Sequence, residues 1–183
     1  MKKILLISTL AAGILLANPS SYEQTADKVA KELLKTLGGN LKKHLKANGP
    51  IDALQFCSQN AYNLTQKVSD EFGKDIDVKR ISLKPRNPAN TPSDEEAKIL
   101  KKMEEAYKSS NKPKNLIVEK DDKVVVYKPL VIKKKACLIC HGDVNKRPKL
   151  AKAIKDIYPA DKATGYKMGD FRGAIVVTIK KGK

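Results

Sequence analysis

Two cysteines and a histidine share one short stretch of this sequence, Cys137-Leu138-Ile139-Cys140-His141. The Cys-x-x-Cys-His spacing is the attachment pattern of a c-type haem, in which each thiol adds across one vinyl group of the porphyrin. The two-residue gap lets both sulfurs reach one edge of the macrocycle, and the next residue places its imidazole under the iron. The pattern predicts that Cys137 and Cys140 attach the haem and that His141 is its proximal ligand.

A Cys-x-x-Cys pair also occurs in redox dithiols and as half of a zinc site. The sequence contains three cysteines, so no second pair completes a zinc site. A thioredoxin-like motif, in turn, does not require a histidine after the second cysteine. Covalent haem is therefore the favoured interpretation, provided that the protein is exported, because bacteria attach c-type haem outside the cytoplasm.

The N-terminus has the pattern of a secretory signal peptide. Met1-Lys2-Lys3 is a short positive region, and residues 4–17 are apolar apart from a few small residues. Such a run is short for a membrane-spanning helix, although an uncleaved N-terminal anchor is the alternative. We predict a signal peptide over residues 1–21 and a single haem domain over residues 22–183. The mature protein is then periplasmic or otherwise exported, soluble, and without a transmembrane helix.

The chain is strongly basic, with 37 Lys and Arg against 20 Asp and Glu and a formal net charge of +17. Such a charge can indicate nucleic-acid binding. Here the lysines are dispersed, and aromatic residues, which would stack on bases, make up only 5% of the chain. We expect no nucleic-acid partner, and instead a basic surface that meets an acidic redox partner or an anionic membrane face. A lysine-rich composition without any partner role explains the charge equally well.

Four helices are predicted from the spacing of apolar residues and from capping signals. The first covers residues 22–37, is interrupted at Gly38-Gly39, and continues as a basic piece over residues 40–47. The second covers residues 51–72. The third begins after Ser93, which has Glu96 at the capping-box position, and runs to about Tyr107. The last is a short helix over residues 147–157.

Strands are predicted over residues 75–83, 115–119, 123–132 and 171–179, and the second and third of these form a hairpin. The last strand is continuously apolar from residue 174 and is therefore expected at the centre of the sheet. Residues 84–92 contain three prolines and form an extended loop. Helices at the front of the chain and strands at the back indicate an α+β domain with an antiparallel sheet.

A haem bound by His141 needs a second axial ligand or an open distal side, and the residues offer four candidates for the ligand. His44 lies among lysines and is expected at the surface, while Met103 and Met168 are most simply explained by core packing or exposure. Cys57 lies in the apolar stripe of the second helix and is expected to point into the core. A thiol beside ferric iron would ionise and lower the reduction potential. The alternative roles for Cys57 are an inert buried thiol and an intermolecular disulfide.

Over residues 51–180 the chain resembles the PAS-like c-type haem domain family with His/Cys axial ligation. The matching segments are residues 53–58 in the second helix, the Arg-x-Ser-x-Lys-x-Arg-Asn-Pro-x-Asn string at residues 80–90, the haem motif, and residues 164–174. The resemblance implies a PAS-like antiparallel sheet flanked by the N-terminal helices and carrying one covalent haem c. It further implies that His141 is the proximal and Cys57 the distal ligand.

The proline-rich loop and its flanks also carry candidates for binding the haem propionates. Arginine forks hydrogen-bond carboxylates bidentately, which suggests Arg80 and Arg86, with Asn87 beside them, as propionate contacts. Tyr166 and Arg172 are weaker candidates for the same role. The alternative is that these residues only brace the loop.

The function expected from these features is that of an exported monohaem c-type cytochrome acting in electron transfer or redox signalling. No transmembrane helix or kinase follows the haem motif, which favours a redox protein over a one-chain receptor. The alternative is a haem-based sensor in which carbon monoxide or nitric oxide displaces Cys57 and a separate partner reads the change. A peroxidase-like or reductase enzyme is the least favoured, because His44 is the only histidine left for acid–base chemistry.

Overall fold

The computed structural model describes residues 19–182, which form five α-helices around a four-stranded antiparallel sheet. The elements in chain order are α1 (Pro19–Ala47), α2 (Gly49–Glu71), β1 (Ile76–Ile81), α3 (Asp94–Ser110), β2 (Leu116–Glu119), β3 (Lys123–Val131), α4 (Cys137–His141), α5 (Pro148–Ile157) and β4 (Phe171–Lys180). Short 3₁₀ turns cover Pro88–Asn90 and Val144–Lys146. The predicted α+β class is confirmed. The predicted signal peptide lies outside the described residues except for residues 19–21, which belong to α1.

The strand order is β1-β4-β3-β2, so the last strand of the chain lies at the centre of the sheet, as predicted. Val177 of β4 is aligned with Val78 of β1 on one side and with Val126 of β3 on the other. Residues 173–177 of β4 are all buried, because a central strand covered on both faces needs apolar side chains pointing both ways.

Helices cover both faces of the sheet. On one face Val29 and Leu33 of α1 and Val68 of α2 pack against alternate residues of the strands, among them Val126 and Val177. On the other face α3 packs against the intervening strand residues through Ile99, Leu100 and Met103. Successive strand side chains point to opposite faces, and each face therefore has a separate apolar cluster.

The first helix differs from its prediction, because α1 runs through Gly38-Gly39 without a break. A glycine inside a helix costs about 1 kcal/mol relative to alanine, which is the reason for expecting an interruption. The packing of α1 against α2 and the sheet outweighs that cost. Leu37, just before the glycines, still packs against the core cluster, which keeps this part of the helix in register.

The third helix begins as predicted, with a full capping box. Ser93 Oγ accepts a hydrogen bond from the Glu96 backbone N at 3.3 Å, and Glu96 Oε2 accepts one from the Ser93 backbone N at 3.0 Å. The Glu96 carboxylate also pairs with Lys79 of β1 at 2.8 Å, which ties α3 to the sheet. The helix continues one turn beyond the predicted end and stops at Asn111, whose φ of 51° is left-handed.

Within residues 19–182, no helix combines the length and the apolar character needed to span a membrane.

Candidate functional site

The Cys-x-x-Cys-His motif forms α4, a single helical turn whose five residues are all half-buried. Cys137 packs on one side of this turn, in a cluster with Ile132 and Tyr166. Cys140 packs on the other side, in a cluster with Leu54 of α2 and Leu150 of α5. The motif is thus held between the end of the sheet and the α2–α5 pair.

Gly142 ends this turn because only glycine fits there. A Cβ at this position would lie 2.7 Å from the Leu138 carbonyl oxygen, which belongs to rigid backbone. The Gly142 N–H donates to that same oxygen at 3.0 Å and closes the turn. The glycine after the motif therefore fixes the direction in which the chain leaves His141.

His141 is oriented by a backbone acceptor. Its Nδ1 lies 2.7 Å from the Ala163 carbonyl oxygen, and since a carbonyl only accepts, Nδ1 carries the proton and Nε2 keeps its lone pair. Burial, reinforced by the charges of Arg172 and Arg86, lowers the pKa of the imidazole to about 3. A neutral ring with a free Nε2 is the form of histidine that binds a metal.

The 161–170 loop is clamped to α4 by two backbone hydrogen bonds. The Tyr166 N–H donates to the His141 carbonyl and the Gly165 N–H to the Gly142 carbonyl, each at 2.9 Å. The Tyr166 ring stands edge-on to the His141 ring, with centroids 6.3 Å apart and planes at 90°. The loop therefore supplies both the acceptor for His141 Nδ1 and a wall beside the imidazole.

Arg86 braces the same region from the proline-rich loop. Its Nε and Nη2 each lie 3.1 Å from a different carboxylate oxygen of Asp161, and Nη2 also donates to the Cys140 carbonyl at 2.6 Å and to the Ala163 carbonyl at 3.3 Å. Both side chains of the Arg86–Asp161 pair are about nine-tenths buried. These contacts favour the bracing interpretation of Arg86 over the predicted propionate contact. Asn87 has a local role as well, because its side-chain oxygen accepts from the Ala89 N–H at 2.9 Å.

Arg80 differs from Arg86 in lacking acceptors. It lies on β1, two residues after Val78 and therefore on the sheet face that α1 and α2 cover. Its Nε is the one buried side-chain polar atom in residues 19–182 without a hydrogen-bond partner. Burial lowers the pKa of the guanidinium, with an opposing effect from the thiolate form of Cys57. A buried guanidinium nitrogen without an acceptor fits an anionic group contributed by a bound cofactor, such as a carboxylate.

Cys57 lies on α2, close to Arg80 and the motif helix. It is half-buried, whereas Leu54 and Val68 of the same apolar stripe are buried, so it does not point into the core as fully as predicted. Burial raises the pKa of the Cys57 thiol, and the charges of Arg80 and Arg86 oppose this rise. Negative charge on Cys57 in turn helps raise the pKa of Cys140, after the larger effect of burial. Cys57 follows Leu54 by one helical turn, and Leu54 packs in the cluster that contains Cys140, so the fold places Cys57 near α4.

The other candidate ligands have different surroundings. His44 is more covered than predicted: its Nδ1 lies 2.6 Å from Asp52 Oδ2, and its ring stacks on Phe56 at a centroid distance of 4.0 Å. Met103 is buried in the α3 cluster, on the sheet face opposite α1 and α2. Met168 is 48% exposed.

The comparisons with known proteins place the chain in a family. Its sequence matches the Tll0287-like family over residues 14–180, which is most of its length. The chain belongs to the Tll0287-like family. No curated protein matches the sequence. The fold matches the structure titled "Crystal structure of the cyanobacterial heme-protein Tll0287" with a TM-score of 0.66 and 21% identity, covering 91% of this chain and 99% of that one. At this identity the structural likeness shows a shared fold.

Several residues that build the site were not predicted from the sequence. Asp161 and Ala163 hold Arg86 and His141, and Ser82 accepts a short hydrogen bond from Arg172 Nη1. Arg172 also donates to the Lys84 carbonyl at 3.1 Å and lies 5.2 Å from the centre of the Tyr166 ring. Only Ser82 had a sequence signal, as the serine of the Arg-x-Ser string. Ala163 acts through its backbone, which its residue type does not reveal.

Proposed function

We propose that this protein is an exported monohaem c-type cytochrome that acts in electron transfer or redox signalling, rather than an enzyme. Cys137 and Cys140 attach the haem and His141 is its proximal ligand. The observation that carries this proposal is the 2.7 Å contact from His141 Nδ1 to the Ala163 carbonyl, which leaves Nε2 free immediately after a Cys-x-x-Cys turn. The membership of the Tll0287-like family supports it, because Tll0287 itself is described as a heme-protein.

The bound haem supplies one-electron redox chemistry, and the chain sets the conditions for it. The Ala163 carbonyl fixes the tautomer and direction of His141 and makes the ring a more basic ligand. The Arg86–Asp161 pair holds the carbonyls of Cys140 and Ala163 in place, so that the attachment turn and the His141 acceptor move together.

Cys57 is the distal ligand in this proposal. Its thiolate is favoured by the charges of Arg80 and Arg86, while burial alone would keep it as a thiol. Thiolate ligation stabilises ferric iron and gives a low reduction potential. The PAS-like classification of the antiparallel sheet, and the export of the chain to the periplasm, belong to the same proposal.

Arg80 is the propionate contact in this proposal. Its Nε is the one buried side-chain polar atom within residues 19–182 that has no hydrogen-bond partner. A haem propionate is a negatively charged acceptor and suits this positively charged donor. Arg172 and Tyr166 already contact each other beside His141 and support the proximal side rather than a propionate.

The ferric absorption spectrum of wild type and of Cys57→Ala tests the assignment, in protein matured in a host that attaches c-type haem. Wild type is expected to show a low-spin six-coordinate haem with a thiolate charge-transfer band, and Cys57→Ala to lose that band. Met168→Ala and His44→Ala serve as matched controls and are expected to keep it. An unchanged spectrum in Cys57→Ala would exclude Cys57 as ligand. Absence of haem staining of denatured wild type in a gel would contradict covalent attachment.

A gas sensor is the second candidate, and the half-buried position of Cys57 on α2, together with its raised pKa, is what favours it. A thiol that burial makes easier to protonate is a ligand that leaves readily once the iron is reduced, which opens a position for carbon monoxide or nitric oxide. Rapid binding of carbon monoxide to the reduced wild-type protein, at a rate close to that of reduced Cys57→Ala, would support sensing. Binding that is slow in wild type and fast in Cys57→Ala would support a simple electron carrier.

A further inference from the structure

Basic residues are concentrated on both sides of the attachment turn. Residues 133–155 contain eight Lys and Arg and a single acidic residue, Asp143, and all eight basic side chains are exposed. We call this set the α4 basic surface; it consists of Lys133, Lys134, Lys135, Lys146, Arg147, Lys149, Lys152 and Lys155. These 23 residues carry a net charge of +7, against +17 for all 183 residues. The charge excess of the protein is therefore concentrated around α4.

Most of this charge is not neutralised by the protein itself. Lys152 lies 2.7 Å from Asp156, and Lys146 lies 3.9 Å from Asp143. The other six members form no ion pair within residues 19–182. Both existing pairs are highly exposed, so water and salt screen them and they bind weakly. The surface thus presents a positive potential to whatever approaches α4.

The fold fixes where these side chains lie relative to the site. Leu150 and Ile154 of α5 are buried in the cluster that contains Cys140 of the motif. Lys149, Lys152 and Lys155 follow each other at three-residue intervals and are exposed, on the outer side of the same helix. The 133–135 run leads directly into α4, where the Lys134 carbonyl accepts a hydrogen bond from the Cys137 N–H at 3.0 Å. The positive side chains therefore border the turn that attaches the cofactor.

We propose that the α4 basic surface is the docking site of an acidic electron-transfer protein. The inference rests on the proposed function above and names the partner of that site. One electron passes from the reduced partner, which is oxidised, to the ferric protein, which becomes ferrous, and the step requires no proton. Complementary charge raises the rate of such encounters and orients the partner toward the attachment turn.

The surface fits a protein better than a membrane. Interfacial binding to lipid needs apolar side chains that enter the headgroup region beside the positive charges. The large hydrophobic side chains that are exposed in residues 19–182 are Leu34, Tyr62, Ile117 and Met168. None belongs to residues 133–155, and Met168 is the one on the loop clamped to α4, since the Gly169 N–H donates to the Ile132 carbonyl at 2.9 Å. Eight exposed basic side chains with a single exposed methionine beside them match the polar, salt-sensitive contacts of transient redox pairs better than the broad apolar face that enters a membrane.

The experiment compares two sets of charge reversals in the haem-loaded full chain. The test variant combines Lys134→Glu, Lys149→Glu and Lys155→Glu. The control combines Lys98→Glu, Lys101→Glu and Lys102→Glu, which are exposed residues of α3 on the other face of the sheet. Both variants change the net charge equally. Stopped-flow absorbance follows reduction of the ferric protein by flavodoxin hydroquinone, an acidic one-electron donor, across a range of ionic strength.

At an ionic strength of about 10 mM, the test variant is expected to react at least about tenfold more slowly than wild type and to lose most of its salt dependence. The control is expected to lose less than about threefold. The neutral triple variant Lys134→Gln, Lys149→Gln and Lys155→Gln should fall between wild type and the test variant, which guards against misfolding of the charge-reversed protein.

Equal losses in the test and control variants, with intact haem spectra, would overturn the docking surface while leaving the cytochrome proposal in place. Unchanged flavodoxin kinetics combined with lost binding to phosphatidylglycerol vesicles would overturn it in favour of a membrane. Absence of covalent haem in the wild-type protein would overturn the proposed function and the docking surface together. Haem staining of the denatured protein used for the kinetics therefore separates the two failures.

Discussion

The two ends of α2 meet the rest of the protein in different ways. Near its C-terminus, Ser69 is buried and its hydroxyl donates to the Ile76 carbonyl at 3.1 Å and accepts from the Val78 N–H at 3.2 Å. In the N-terminal half of α2, Cys57 is half-buried. Nearby on β1, Arg80 has a buried Nε without a hydrogen-bond acceptor. The polar groups at the first place are satisfied by the chain's own atoms, while Arg80 Nε at the second has no acceptor within residues 19–182.

This difference separates scaffold from site. Buried polar groups are satisfied almost everywhere in folded proteins, and leaving one unpaired costs about 1–3 kcal/mol. Arg80 lies on the same strand as Val78, where Ser69 is bonded, and only two residues away from it. The fold therefore satisfies one polar group of this strand and leaves another unpaired two residues later, which supports the proposal that a bound group accepts from Arg80 Nε.

The largest effect is expected from breaking the brace beneath α4. Asp161→Asn removes the charge that compensates Arg86 while leaving the guanidinium buried, and this should lower the free energy of unfolding by about 3–5 kcal/mol. Guanidinium chloride unfolding of the haem-loaded protein measures the change. Asp156→Asn, which breaks the exposed Lys152–Asp156 pair, is the matched control and should cost less than about 1 kcal/mol. A similar small loss in both variants would show that Arg86 is not a brace.

The next effect belongs to the C-terminal end of α2. Ser69→Ala leaves the Val78 N–H without its acceptor inside the core, so we expect a loss of about 1–3 kcal/mol of unfolding free energy. The loss should be the same in protein produced without haem and in the haem-loaded form, because this end does not depend on the cofactor. Ser58→Ala, whose hydroxyl donates only to the Gln55 carbonyl on the same helix, is the control with a smaller effect. A loss that appears only with haem would contradict the separation between the two ends.

The sequence predicted the strands and the start of α3 better than it predicted helix interruptions and short helical turns. Strand positions, the central place of β4 and the Ser93 capping box are local or periodic features, and each is confirmed. The break at Gly38-Gly39 was wrong because a local propensity of about 1 kcal/mol per glycine is smaller than the packing of α1 on α2. The short turn of α4 had no helical pattern of its own to predict it.

Where chemistry fixes residue type and spacing, the sequence alone identifies candidate residues, as in Cys137, Cys140 and His141, whose roles stay predictions. The candidate site was not predictable where the role depends on distant backbone. Arg80 and Arg86 looked alike as propionate contacts, and only the structure separates them, since Asp161 lies 75 positions from Arg86 in the chain. Ala163 contributes a carbonyl oxygen, a role that any residue type fills.

The pH dependence of stability tests the burial of His141. In the haem-free protein its pKa is lowered to about 3, whereas the unfolded side chain titrates near its ordinary value of about 6.5. The unfolded state therefore binds a proton that the folded state excludes, so stability should fall as the pH drops below about 6.5, by up to about 1.4 kcal/mol per unit. Urea unfolding at pH 6.5, 5.5 and 4.5 measures this slope. His141→Gln should flatten it, and an equal slope in that variant would assign the effect to other groups.

The smallest effect is expected at Arg80, where the same substitution should change the free energy of unfolding in opposite directions without and with haem. This result decides whether the two ends of α2 differ. Arg80→Met replaces the unpaired guanidinium with an apolar side chain of similar length, so the haem-free protein should be as stable as wild type or gain about 1 kcal/mol. In the haem-loaded protein the same substitution removes the proposed hydrogen-bond donor to the haem propionate. It should therefore lower the free energy of unfolding and shift the reduction potential. Lys79→Met, the neighbour on the opposite face of β1, is the control and should lower stability in both forms because it breaks the pair with Glu96. Destabilisation by Arg80→Met without haem would mean that Arg80 is already satisfied by the chain, and the two ends of α2 would then not differ.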